Sequence, residues 1–320
     1  MNKPNQPIDV VYTWVDDGFP GYSDALQRYA DDPRDSDPNR TRDNLETLRY
    51  SLRSVWQHLP DVRSIYIFSC RPQVPSWLDT SHPNINLVHH DEVIATRYLP
   101  TFNSFCIVSH LHLLPGVSRQ FLYFEDDVLA NSDDLMDAMF TPDGHPWVHL
   151  ESRKVVPHCK LDTATASPWN LSLANADNAL TKRFGAKARR HIIHGPQILD
   201  CDLLELMCRE FPERVEATRN SKFRSGDNIP PEFLARHLAL ETGAASLAPS
   251  ALSNKVQGYA SVENLRLWTW YQINRINRRK PMSITLNDSF GDTPNPKVET
   301  MVKKQLETWF HDPAPWEFPA

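Results

Sequence analysis

At residues 121–127 an apolar strand pattern, Phe-Leu-Tyr-Phe, runs without a break into Glu-Asp-Asp. No other feature restricts the fold so tightly. The first four residues call for burial on both faces, which a sheet covered by helices supplies. Adjacent carboxylates repel one another and lose hydration beside a packed strand, so a cation or hydrogen bonds must neutralise them. The pattern predicts an α/β sheet with a site at its carboxyl edge, where the three acids suit Mg²⁺ or Mn²⁺ bridging a diphosphate as hard oxygen ligands. A solvated acidic turn, extended by Asp133 and Asp134, competes on equal terms.

Other segments fit the same architecture. Residues 8–15 (IDVVYTWV), 64–69 (SIYIFS), 85–89 and 147–150 read as strands. Residues 45–59 carry leucines and a valine at helical spacing, with Asp43 placed to cap the helix. A second helix is expected at about 104–114, before Pro115-Gly116. Beyond residue 152 helical patterns dominate, at 197–211, 232–242 and 262–278. A last short strand at 283–286 ends in Asn287-Asp288, repeating the strand-then-acid arrangement, and a helix follows at about 299–310.

Composition removes several classes of function. Lys and Arg number 34 against 40 Asp and Glu, a net charge of −6, so no basic surplus is present to track a nucleic-acid backbone. Neither G-x-G-x-x-G nor a Walker loop occurs, which argues against Rossmann dehydrogenases and P-loop kinases. Five widely spaced cysteines without a C-x-x-C pair suggest reduced thiols and a cytoplasmic setting. The first residues have no apolar signal core. No apolar run reaches the roughly 18 residues of a membrane span, so none is expected.

Individual side chains then compete with ordinary structural uses. His194, in His194-Gly195-Pro196, is expected just before a helix and has structural and catalytic readings. In residues 222–227 (KFRSGD), Arg224 offers a fork for phosphate oxygens and Asp227 follows three residues later; a surface ion pair is the rival. Arg42, Glu46, Arg49 and Arg53 form a polar stripe, either solvated or facing a ligand. The 267–271 segment (LWTWY) suits packing or sugar stacking. The basic tract 275–280 suits a solvated helix end or an anionic acceptor.

Several blocks in order resemble the Stealth family of sugar-1-phosphate transferases, which includes bacterial capsular and exopolysaccharide phosphotransferases and the catalytic subunit of the N-acetylglucosamine-1-phosphotransferase. They are IDVVYTWVD at 8–16, RDNLETLRYSLRS at 42–54, YLPTFNS at 98–104, FLYFEDD at 121–127, His194-Gly195-Pro196, Phe223-Arg224-Ser225 with Asp227, and Leu286-Asn287-Asp288. The resemblance spans residues 8–288. One departure stands out: the family usually has Asn-Asp-Asp at the acidic strand end, and Glu125 replaces the Asn here.

This resemblance implies transfer of a sugar-1-phosphate from a nucleotide-sugar, UDP-linked by expectation, to a hydroxyl of a free or lipid-linked oligo- or polysaccharide. A GT-A-like α/β sheet flanked by helices is implied: a nucleotide-sugar-binding core at 1–150, a mainly helical subregion at 151–280, and a return strand, metal-site turn and C-terminal helix at 281–320. Asp126, Asp127 and Asp288 would hold Mg²⁺ or Mn²⁺, and His194 would be the general base. Arg224 would stabilise the transferring phosphoryl with Asp127 beside it. Asp16, Trp14, Arg42, Asp43, Arg49, Asn103 and Asp227 would bind substrate. The expected location is cytoplasmic or peripheral at the inner membrane. Two rivals remain: a metal-dependent glycosyltransferase that releases a nucleoside diphosphate, and a non-catalytic glycan-binding relative.

Overall fold

The computed structural model describes residues 7–30, 43, 45–162, 165–291 and 293–319. Arg42 lies outside the described residues. In chain order the strands are β1 (Asp9–Thr13), β2 (Ile65–Ser69), β3 (Ile85–His89), β4 (Gln120–Glu125), β5 (Val128–Ala130) and β6 (Trp147–Val148). They continue with β7 (Leu150–Lys154), β8 (Arg190–Ile192), β9 (Gln197–Asp200), β10 (Ser246–Leu247), β11 (Gln257–Val262) and β12 (Ser283–Asp288).

The main sheet has the order β3-β2-β1-β4-β9; only the β4–β9 pairing is antiparallel. Its α/β class is the one the sequence predicts. Side chains alternate across β4, so Phe121 and Tyr123 enter one hydrophobic cluster while Leu122 and Phe124 enter another. Both faces are therefore buried, which explains the unbroken apolar run. The Thr47–His58 helix buries Leu48, Leu52 and Val55 in the second cluster. The Asp43 carboxylate accepts the Thr47 N–H at 2.8 Å and steadies the start of this helix, but the cap position expected of it falls to Glu46.

A smaller sheet, β11-β12-β5, brings the far end of the chain to the acidic turn. The Leu286 N–H donates to the Asp127 carbonyl oxygen at 2.9 Å. Asn287 and Asp288 thereby reach the neighbourhood of Asp127.

Three local expectations change. Residues 197–211 are not one helix: β9 comes first, and Asp200 then accepts the N–H groups of Asp202 and Leu203 to start the Cys201–Glu210 helix. His194-Gly195-Pro196 consequently precedes a strand. The 104–114 region divides into the Ser104–Val108 helix and a tight turn at Leu111–Leu113. The 17-residue helix Pro168–Phe184 was not anticipated. Its end signals are good, with Ser167 capping Asn170 N–H, Pro168 in the first turn and Gly185 after the last. However, Ser172, Leu173, Ala174, Asn175, Ala176 and Asp177 are buried in succession, so no apolar stripe marks it.

Candidate active site

β1 and β4 run parallel with Thr13 opposite Glu125, so Trp14 and the acidic turn leave the sheet side by side. Beyond that edge lies a cavity of about 890 Å³. Its lining includes Trp14, Glu125, Asp126, Asp127, His194, Arg224, Glu232, Tyr259 and Asp288. This is the carboxyl edge at which open α/β sheets bind ligands.

His194 Nε2 lies 2.8 Å from Glu125 Oε2 and 3.5 Å from Asp127 Oδ1. One ligand atom from each of the three falls within 4.8 Å of the others. The His194 loop is fastened to β12, because Thr285 Oγ1 donates to the His194 carbonyl oxygen at 2.9 Å. His194 Nε2 and Asp127 Oδ1 are buried, yet neither has a hydrogen bond of good geometry. Their contact is one of charge. Two carboxylates and an imidazole converging with unsatisfied atoms fit a divalent cation; the oxygens suit Mg²⁺ or Mn²⁺, and the nitrogen favours Mn²⁺ over Mg²⁺.

The charges are strongly coupled. Burial opposes ionisation of Glu125, but His194 overcomes it and holds the carboxyl below its usual range. Burial also opposes the His194 imidazolium, and the charges of Asp127 and Glu125 raise it well above its usual value nonetheless. His194 thus sits between two acids as their counter-charge, and the same nitrogen, once deprotonated, is placed to join them on a cation. Burial, then repulsion from Asp127, Asp43 and Glu125, raises Asp126 well above the carboxylate range. Asp43 is pushed up to about 6, chiefly by burial.

Arg224 borders the same space. Its Nε donates to Ser104 Oγ at 2.8 Å, and its guanidinium carbon lies 4.7 Å from the Phe105 ring centroid. Glu232, in the Pro231–Thr242 helix, lines the cavity while only 6% exposed, and its Oε2 has no hydrogen-bond partner. Burial pushes its carboxyl up to about 7. Sequence reasoning missed Glu232, because an acid in the first turn of a helix is ordinary there.

The anticipated metal set of Asp126, Asp127 and Asp288 is regrouped. All three line the cavity, but the convergent group is Asp127 with Glu125 and His194. Asp288 Oδ1 accepts the Phe290 N–H at 3.0 Å. Among the expected substrate contacts, Trp14 lines the cavity, whereas Asp16, Asp43, Arg49, Asn103 and Asp227 are not among the described lining residues. Each of these has another use or setting. The Asp16 carboxylate accepts the Gly18 N–H at 2.9 Å and closes its own turn. Arg49 Nε donates to Glu317 at 2.6 Å, so that side of the helix holds the C-terminal tail. Asn103 is fully buried; it caps the Ser104–Val108 helix and donates to Asn228 Oδ1 at 2.9 Å. Asp227 is exposed on the loop after Arg224.

Sheet and cavity define an α/β protein with a polar cavity at the carboxyl edge of its main sheet. Residues 40–148 match Stealth protein CR2, conserved region 2, and residues 193–241 match Stealth protein CR3, conserved region 3. The chain belongs to the Stealth family. It is 31% identical over 318 residues to the capsular polysaccharide phosphotransferase SacB of Neisseria meningitidis serogroup A, covering 98% of this chain and 57% of SacB. An exopolysaccharide phosphotransferase of Streptomyces coelicolor is 35% identical over 242 residues, 74% of this chain and 40% of the relative. This chain thus spans about half the length of these relatives. Among solved structures, the galactosyltransferase LgtC with donor and acceptor sugar analogues aligns over 96% of this chain and 98% of its own, at 10% identity and a TM-score of 0.43.

Proposed function

We propose that this chain transfers a sugar-1-phosphate from a nucleotide-sugar, UDP-linked in the simplest case, to a glycan hydroxyl in capsular or exopolysaccharide synthesis. The observation that carries this reading is the convergence of Glu125, Asp127 and His194 in one cavity with Arg224 and Glu232. The relatives named as capsular and exopolysaccharide phosphotransferases support the same reaction class.

Glu125, Asp127 and His194 would hold Mg²⁺ or Mn²⁺. A bound divalent cation neutralises charge on a diphosphate. The Arg224 guanidinium supports the phosphoryl oxygens as negative charge shifts among them. Glu232 receives the acceptor proton; a carboxyl near 7 is well matched to that task. The acceptor oxygen forms a bond to the sugar-side phosphorus, and the bond from that phosphorus to the bridging oxygen breaks. That oxygen leaves with the electron pair as part of the nucleoside monophosphate. The bond between the anomeric carbon and its oxygen stays intact. Five unpaired cysteines support a reducing, cytoplasmic setting for the work. No described helix is long and apolar enough to cross a membrane.

A panel of nucleotide-sugars with a glycan acceptor, scored for the released nucleotide, tests the reading. Nucleoside monophosphate with a phosphodiester product is expected. Nucleoside diphosphate with a glycosidic product would assign the site to an ordinary glycosyltransferase.

A further inference from the structure

The Arg266–Arg279 helix carries an unusual surface for a chain with net charge −6. Between Glu263 and Asp288 the sequence contains no acid but five bases: Arg266, Arg275, Arg278, Arg279 and Lys280. The large side chains Trp268 and Tyr271 stand 41% and 51% exposed. Their rings stack on each other, with centroids 5.8 Å apart and planes 25° from parallel. A neighbouring side of the helix buries Thr269, Gln272, Ile273 and Ile276, so the exposed rings are not needed to seat it.

The order along the helix matters more than the composition. Positions 268, 271, 275 and 279 recur every three or four residues and so share one side. They extend over about 16 Å of helix axis. At one end are the stacked rings. At the other, Arg275 and Arg279 line the candidate active-site cavity. Arg275 Nη2 donates to the Tyr259 carbonyl oxygen at 2.8 Å, and Arg279 Nη2 to the Asn254 carbonyl oxygen at 3.3 Å. Those bonds orient the two guanidiniums. Among the described residues, no carboxylate lies within ion-pair distance of either. The stripe therefore joins an aromatic platform to two oriented, uncompensated cations at the mouth of the cavity.

We infer that this stripe is an acceptor subsite, and that its occupant is an anionic, phosphodiester-linked glycan. The inference rests on the function proposed above, whose product carries one negative charge for every unit added. A pyranose lays its C–H faces on aromatic rings, whose faces carry negative charge. The diesters between sugars are natural partners for guanidinium forks. A growing chain held this way has its sugars on Trp268 and Tyr271 and its terminal diester beside Arg275 and Arg279, with the hydroxyl end in the cavity.

The test is binding, which needs no turnover. A fluorescently labelled short oligomer of N-acetylglucosamine joined by 1-phosphodiesters is titrated by polarisation, beside the neutral oligomer of the same length. The wild type should prefer the anionic oligomer by about tenfold or more, and the preference should shrink with salt. Trp268→Ala with Tyr271→Ala should weaken binding of both oligomers about tenfold. Arg275→Gln with Arg279→Gln should remove the preference and its salt dependence. Unchanged affinity in both double variants, or no preference in the wild type, would overturn the subsite. So would loss of sedimentation with phosphatidylglycerol–phosphatidylethanolamine vesicles in the aromatic variant while oligomer binding stays normal, because the helix would then be a membrane contact. Monophosphate release with a monosaccharide acceptor separates the two ideas. Release by the wild type with no effect of the variants on oligomer binding sinks the subsite alone, and its absence from the wild type sinks the reaction.

Discussion

Glu317 offers a stability prediction that also checks where the arginine stripe points. Its side chain is 1% exposed and accepts Arg53 Nε and Nη2 at 2.6 and 2.9 Å, Arg49 Nε at 2.6 Å and the Ala314 N–H at 3.0 Å. Arg53 is 6% exposed. Glu317→Gln keeps the shape and removes the charge, leaving Arg53 with Glu307, 3.2 Å away and 46% exposed, as its carboxylate partner among the described residues, beside the Phe310 carbonyl oxygen. Breaking a buried pair costs roughly 3–5 kcal/mol, and the remaining acid places this case near 3 kcal/mol. At this chain length about 2 °C per kcal/mol gives a fall of roughly 6 °C in Tm.

The assay is urea and thermal unfolding of the wild type, Glu317→Gln, and Arg53→Met combined with Glu317→Leu. The double variant should recover most of the loss, because no charge is left buried alone. Burial opposes ionisation of Glu317, but its hydrogen bonds and Arg53 hold its pKa below the ordinary carboxylate value. This stabilisation is therefore present above the unfolded pKa of about 4.3 and is lost as pH falls through the lower folded value. Donor KM should not move. A loss under about 1 kcal/mol would make the cluster equivalent to a surface ion pair and refute the reasoning. A donor KM that rose with Glu317→Gln would return Arg49 to the substrate.

Asp127→Asn and Glu125→Gln should each abolish turnover, and each should remove the thermal stabilisation that Mn²⁺ gives the wild type, about 2.7 kcal/mol at a hundredfold excess over Kd; stabilisation that survives in both variants would place the cation elsewhere. Arg224→Lys should lower kcat by roughly 10²–10³-fold, since a point charge does not replace a fork, and near-normal kcat would make Arg224 a packing residue. For Glu232, pushed up to about 7, the rate should rise with pH through that value as the carboxyl ionises. Glu232→Gln should cost about 10²–10⁴-fold and erase that rise; an unchanged pH profile would leave the proton acceptor unassigned.

What could be read in advance divides along a physical line. The alternation across β4 and the strand-then-acid step depend on neighbours in sequence, and both pointed to the sheet edge where the cavity lies. Asp43 was legible as part of the helix start for the same reason, although Glu46 holds the cap position and a role in substrate binding was also expected of Asp43. The structural partners of Arg49 and Asn103 were not legible, because they are distant in sequence. Glu317 lies 268 residues beyond Arg49, and Asn228 lies 125 beyond Asn103. A polar residue near a functional motif looks the same whether it meets a ligand or a remote part of its own chain. Glu232 was invisible for the converse reason: nothing local distinguishes it, and its unsatisfied oxygen exists only once the helix is packed.

The same distinction governs how the site forms. Glu125 and Asp127 belong to the β4 turn, whereas the cation that counters them in this structure, His194, arrives after nearly seventy further residues. Its position depends in turn on Thr285 in β12, and β12 is bonded to the Asp127 carbonyl through Leu286. The acidic turn is thus held from two later segments, one supplying charge and the other backbone hydrogen bonds. Residues 1–150 on their own would contain the acids without either support, and repulsion among Glu125, Asp126 and Asp127 would act against the strand end they occupy. The three expected regions divide the sequence, but the site requires contributions from all of them. The backbone that carries its acids is fully braced only when the last strand is in place.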